Sequence, residues 1–193
     1  MPHVRLSQQP EADALLSSDP LALLIGMLLD QQVPMERAFA APRALADRLG
    51  TERLSAAAIA DAEPDGFVAL FSRVPALHRF PGSMAARVQT LCRALVDSYD
   101  GDAANLWRDA ATGAELRGRL EALPGFGKQK AAIFLALLGK QLDVRPAGWR
   151  EAAGPYGDAD ATRSVADVTG PETLAAVREY KKQAKAAAKA GRP

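Results

Sequence analysis

Two glycines and a proline set within ten residues constrain this chain more than any other feature. Leu123-Pro124-Gly125-Phe126-Gly127-Lys128-Gln129-Lys130-Ala131-Ala132 joins a helix-forming run at residues 114–122 to an apolar run at 131–138 that contains no breaker. Pro124 presets φ and cannot extend the first helix, while Gly125 and Gly127 tolerate positive φ and leave room for a close backbone approach. Two helices therefore meet at a hairpin. The amides of residues 125–128 face outward at a helix N-terminus, where free N–H groups and the macrodipole favour an anion. Lys128 and Lys130 are expected to add positive charge beside it.

The remainder reads as helices of period 3.6, with no alternation of period two, and the expected fold is all-α. Residues 1–19 are polar and are expected to form an arm, with Val4, Leu6, Leu15 and Leu16 available to pack it down. Asp19 then serves as an N-cap with Pro20 at the first helical position. The helix this opens, residues 21–29, is apolar all round and must be central. It ends in three polar side chains, Asp30, Gln31 and Gln32. Further helices are expected at 35–49, 54–60 (capped by Thr51), 65–71, 84–99 and 104–107, with a loop at 75–83. Residues 144–160 carry Pro146, Gly148, Gly154, Pro155 and Gly157 and read as a long irregular segment. Helix resumes weakly at 162–168 and firmly at 172–189, whose basic end is either a solvated helix terminus or a DNA-facing tail.

Charge and cysteine usage narrow the chemistry. Lys and Arg total 24 against 23 acids, so any nucleic-acid footprint has to be local rather than a global field. The single cysteine, Cys92, leaves no partner for an internal disulfide and no set for a four-cysteine cluster. His3 and His78 lack cysteine partners at zinc spacing. The opening Met1-Pro2-His3-Val4-Arg5 lacks the apolar core of a signal peptide, and a cytoplasmic location is expected.

The decamer as a whole resembles the helix-hairpin-helix of the HhH-GPD base excision repair DNA glycosylase superfamily, typified by endonuclease III, MutY and AlkA. In that family the pattern L-P-G-x-G-x-x-x-A binds the phosphates of one DNA strand. The resemblance assigns that role here to Gly125, Phe126, Gly127, Lys128 and Lys130. By the same resemblance the backbone carbonyls of Glu121, Leu123 and Phe126 hold a monovalent cation, Na⁺ or K⁺; no other cofactor is implied, and no iron–sulfur cluster. Leu28-Leu29-Asp30-Gln31-Gln32-Val33 is similar to the family's L-S-Q-Q-T-S stretch, whose glutamines lie beside the DNA opening and brace the gap left by an extruded base. Read alone, Gln31 and Gln32 would merely cap a helix. Phe80-Pro81-Gly82-Ser83, with Ala85, Ala86 and Arg87, resembles a third short stretch, so the likeness covers residues 21–150. It implies a two-lobed helical fold: a barrel over residues 24–140, and a second lobe from 1–23 plus 141–193 with a basic tail.

Two departures bear on catalysis. Members that cleave the strand carry a Schiff-base lysine four residues after the first glycine of the turn, and here that residue is Gln129, which cannot form an imine. The family's catalytic Asp falls on Pro146. The carboxylates that could replace it are Asp143, Glu151 and Asp30, with Asp143 first because it needs the smallest displacement. The resemblance thus implies a monofunctional glycosylase acting on a damaged or mispaired base in double-stranded DNA, as a monomer. The alternatives are a lesion-binding protein without chemistry and a protein-interacting helical domain. Trp107 and Trp149 are stacking surfaces or core.

Overall fold

The computed structural model describes residues 3–190. Eleven α-helices are seen among them: α1 (Pro10–Ser18), α2 (Pro20–Leu29), α3 (Met35–Leu49), α4 (Ala56–Asp61), α5 (Pro64–Ser72), α6 (Pro81–Tyr99), α7 (Asn105–Arg108), α8 (Gly113–Glu121), α9 (Lys128–Gln141), α10 (Trp149–Ala153) and α11 (Pro171–Ala190). The only β pairing among the described residues is an isolated bridge between Thr112 and Ala147. The fold is all-α.

α2 is the axis. Every residue from Leu21 to Leu29 is buried, and Asp19 caps it as the sequence requires, accepting from the amides of Leu21 (3.0 Å) and Ala22 (3.3 Å). Its other carboxylate oxygen takes the amide of Leu54 at 3.0 Å, which ties the start of α2 to the approach to α4. α3 crosses α2 where Gly26 leaves space for Phe39; a Cβ at that glycine would lie 2.6 Å from the ring. α4 and α5 then pack on α6.

Around the second axis, α9, lie α8, α10 and the 3-10 turn Val165–Asp167. Trp149 is wedged between them, since a Cβ on Gly139 would meet its ring at 2.4 Å and one on Gly113 its Cα at 2.4 Å. Trp149 is therefore core, and Trp107 is half-buried against Phe134.

Several expectations change. The arm expected at 1–19 is, over its described residues, folded onto the body. Val4 and Leu6 are fully buried, and Asp13 accepts from the amides of Leu6 (3.0 Å) and Ser7 (2.8 Å), which lets this polar stretch satisfy its backbone while its apolar side chains pack. Residues 1 and 2 lie outside the described residues. Ser55, not Thr51, caps the fourth helix, accepting from Ala58 at 3.2 Å. The loop expected to run to residue 83 ends at Pro81, because proline suits the first turn of α6. The segment 144–160 contains α10 and a 3-10 turn, Gly154–Tyr156, nucleated by the burial of Trp149 and Ala153.

Candidate nucleic-acid interface

At the end of helix α2 the last carbonyls accept from side chains, and Gln31, Arg87 and Lys130 meet there. The Lys130 ammonium donates to Met27 O at 2.8 Å and Leu28 O at 3.0 Å, a placement favoured by the negative end of the helix dipole. Gln31 Nε2 also donates to Leu28 O (2.8 Å), and Arg87 Nη1 donates to Gln31 Oε1 (3.1 Å). Lys130 is thus committed to α2 and does not lie free beside the hairpin anion site, as the sequence suggested. Its neighbour Gln31 does cap the helix, whereas Gln32 is exposed in a left-handed conformation (φ 57°).

His78 locks a second loop to the first. The Phe80 amide donates to His78 Nδ1 (3.0 Å), so the proton sits on Nε2 and is donated to Gln31 O (3.0 Å). The ring is 1% exposed, and burial lowers its pKa against the partial compensation of these carbonyl bonds. With the folded pKa below the unfolded value, the unfolded chain takes up the proton first, so stability is lost as pH falls below about 6.5. Melting temperatures measured down to mildly acid pH should drop more steeply in the parent than in His78→Gln.

The hairpin itself is built as its glycines demand. Gly125 has φ +84°, and a Cβ there would lie 2.4 Å from Leu28 Cδ1, so the turn packs directly on the end of α2. The Phe126 amide closes the turn onto Leu123 O at 3.1 Å. Leu123 and the Phe126 ring are buried, the latter edge-on to Phe134 with centroids 5.9 Å apart. The Phe126 side chain is thus part of the core. Gly127 is the N-cap of α9 and supplies no side-chain cap; nothing lies within 4 Å of where a Cβ on it would stand. The first amides of α9 are therefore open to an incoming group. Lys128 is exposed beside them.

Below the hairpin a cleft of about 540 Å³ opens between the end of α2, the first turns of α9 and the flank of α11. Asp30, Gln129 and Lys130 line it on one side; Tyr156, Arg163, Tyr180 and Lys181 line it on the other. Gln129 Nε2 donates to the Tyr156 hydroxyl at 2.9 Å, and the Arg163 guanidinium lies 5.9 Å from the Tyr180 ring centroid. Burial raises the Asp30 pKa above the ordinary aspartate value; Lys181 and Lys130 pull it back, and Glu36 pushes it up. Lys130 is pushed down to about 8, chiefly by desolvation. A slightly larger groove, about 560 Å³, lies between α1 and α3, but its Arg43 is paired with Asp47 and its Arg48 donates to backbone carbonyls of Leu70 and Pro75.

The three candidate carboxylates separate clearly. Asp30 shares the cleft with Gln129 and Lys130. Asp143, with φ 59° and a side chain 79% exposed, pairs with Arg145 at 3.1 Å outside the cleft, and Glu151 is exposed on α10. Arg145 and Arg150, on either side of Pro146, anchor to Gly139 O (2.9 Å) and Gly157 O (3.1 Å), and Arg150 also covers the Trp149 ring. Sequence reasoning missed Tyr156 and Arg163, and it read Tyr180 and Lys181 only as part of a solvated helix end or DNA-facing tail, not as cleft residues. Only the basic run around Tyr180 could have pointed to them.

A family model for HhH-GPD superfamily base excision DNA repair proteins matches residues 25–190. A search of the curated proteins finds no match. The hairpin on the end of α2, the all-α architecture and a family match over most of the length agree, and the chain belongs to the HhH-GPD superfamily of base excision DNA repair proteins.

Proposed function

We propose that this chain is a monofunctional DNA N-glycosylase, acting as a cytoplasmic monomer. It extrudes a damaged or mispaired base from duplex DNA into the cleft below the hairpin and hydrolyses the N-glycosidic bond. The observation that carries this reading is the half-buried Asp30 carboxylate, which shares that cleft with Gln129 and Lys130. In its ionised form Asp30 takes a proton from the attacking water and stabilises the oxocarbenium-like sugar, the work carboxylates do at other glycosidic bonds. Tyr156 and Tyr180 offer faces on which an extruded base stacks. The free amides of α9 and Lys128 hold the phosphates, and the carbonyls of Glu121, Leu123 and Phe126 would hold a monovalent cation that would add positive charge to this end of the hairpin. Leu123 O already accepts from Phe126, and a carbonyl's second lone pair suffices for that ion. Exposed Gln32, and Phe80 at 42% exposure on the loop that His78 ties to Gln31, are placed to brace the gap in the duplex.

Two observations favour a second reading, a lesion-binding protein without chemistry: two lysines lie near Asp30, and Pro146 stands at the position where the resemblance expects the catalytic acid. Purified protein incubated with duplexes bearing uracil, alkylated purines, 8-oxoguanine or mismatches separates the two. The glycosylase reading expects free base from at least one duplex, an uncut strand, and no adduct on borohydride reduction, because Gln129 has no amine and Lys130 is held by two carbonyls. Tight lesion binding with no base released from any duplex would establish the second reading instead.

A further inference from the structure

We infer that the C-terminal half of α11 is a phosphate clamp, which grips the DNA strand on the side of the cleft opposite the hairpin. The inference rests on the DNA-binding reading above and adds a second contact surface to it. Residues 178–190 hold five cations and one acid, a net +4, whereas the whole chain is +1 and the remainder is therefore −3. A body of that charge repels a polyanion unless its cations are concentrated where the strand lies. Arg178, Lys182, Lys185 and Lys189 are spaced four, three and four residues apart, which puts them on one face of a helix.

Elsewhere three half-buried helical arginines pair with an acid four residues away, Arg43 with Asp47 in α3, Arg117 with Glu121 and Arg119 with Glu115 in α8, and the exposed Arg93 and Arg108 pair with Asp61 and Asp102. In α11 that pattern stops. Lys182, Lys185 and Lys189 are exposed and have no ion pair among the described residues. An ordinary solvated helix gains from interleaved charges, so three unpaired lysines on one face point to a partner that supplies the anions.

The helix is also held where such a partner must pass. Leu174 and Val177 are buried, Arg178 pairs with Glu36, and Tyr180, Lys181 and Ala184 form one wall of the cleft whose other wall carries Gln129 and Lys130. Beyond that anchor the helix projects free. Lys182 and Lys189 are about 10 Å apart along the axis. Consecutive phosphates of one strand advance about 3.4 Å along the duplex, so the stripe matches a short run of phosphates. The hairpin and α11 then hold the backbone on the two sides of the nucleotide that enters the cleft.

The test compares duplex affinity against NaCl concentration for the full chain, the variant Lys182→Ala/Lys185→Ala/Lys189→Ala, and a control of equal charge loss, Arg53→Ala/Arg93→Ala/Arg108→Ala. The probe is a short duplex with a central tetrahydrofuran abasic site. Alanine favours helix at all three α11 positions, so the fold is retained and circular dichroism checks it. The clamp predicts that the slope of log affinity on log salt falls by about 2.7, or about 0.9 for each phosphate no longer neutralised, while the control changes it little. A slope unchanged in the α11 variant, or lowered equally in the control, overturns the clamp and leaves the hairpin reading standing. A parent that binds no duplex overturns both.

Discussion

Asp30→Asn is expected to lower the rate of base release by roughly 10²- to 10⁴-fold, the usual contribution of a positioned acid or base, while leaving lesion-duplex affinity unchanged or tighter. The asparagine keeps the shape of the side chain and removes the charge that acts only as the sugar becomes cationic, so the loss falls on the chemical step rather than on binding. The same substitution should raise the melting temperature at neutral pH. Asp30 is half-buried with a raised pKa, so the folded state binds its proton more readily than the unfolded chain does. Stability therefore falls as pH rises from the ordinary aspartate value through the folded one, and the ionised group remains a cost at pH 7 that asparagine removes. The gain should vanish in acid. Asp143→Asn and Glu151→Gln, which alter exposed carboxylates outside the cleft, should release base like the parent. Should either of them lose turnover while Asp30→Asn keeps it, the catalytic assignment moves to the segment around Pro146.

Gly127→Asp should weaken binding to every duplex by more than about tenfold, or about 1.4 kcal/mol, without harming the fold. The position has open space around it and φ −79°, so a side chain is tolerated, and aspartate is a favoured N-cap. Its carboxylate would occupy the free amides of α9 and repel the phosphate they attract. Because phosphate contacts position a duplex without reading its sequence, the loss should be the same for lesion and intact DNA. Gly125→Ala makes the contrasting control. It adds a Cβ against Leu28 at a positive φ, and should cost about 1–3 kcal/mol of stability before any effect on DNA is measured. Unchanged affinity in a well-folded Gly127→Asp would remove the hairpin from the DNA contact.

What the sequence made legible was local. Pro20 after Asp19, the apolar length of α2 and Gly125 each act on their own backbone and lie where those rules put them, whereas Gly127 has φ −79° and leaves the positive-φ freedom it was read for unused. The cleft was not legible, because its walls come from opposite ends of the chain. Asp30 and Gln129 both stand out in their motifs, yet nothing within either motif indicates that Lys130 reaches back to Met27 or that Tyr180 and Lys181 cover Asp30. Ranking the carboxylates by distance along the chain favours Asp143, and distance along the chain does not report burial. Tyr156 is hidden for another reason: it sits among glycines and prolines that read as irregular, and the buried Trp149 that orders this segment is packed by glycines on two other helices, Gly113 and Gly139.

The most direct test of Asp30 as the working group in this cleft is the pH dependence of single-turnover base release by the parent and by Asp30→Asn. If Asp30 does this work, the parent rate falls as pH is lowered through a value above the ordinary aspartate pKa, as the half-buried carboxylate takes up its proton. That limb should be absent from the residual rate of Asp30→Asn. A parent profile without the limb, or the same limb persisting in Asp30→Asn, would contradict the assignment.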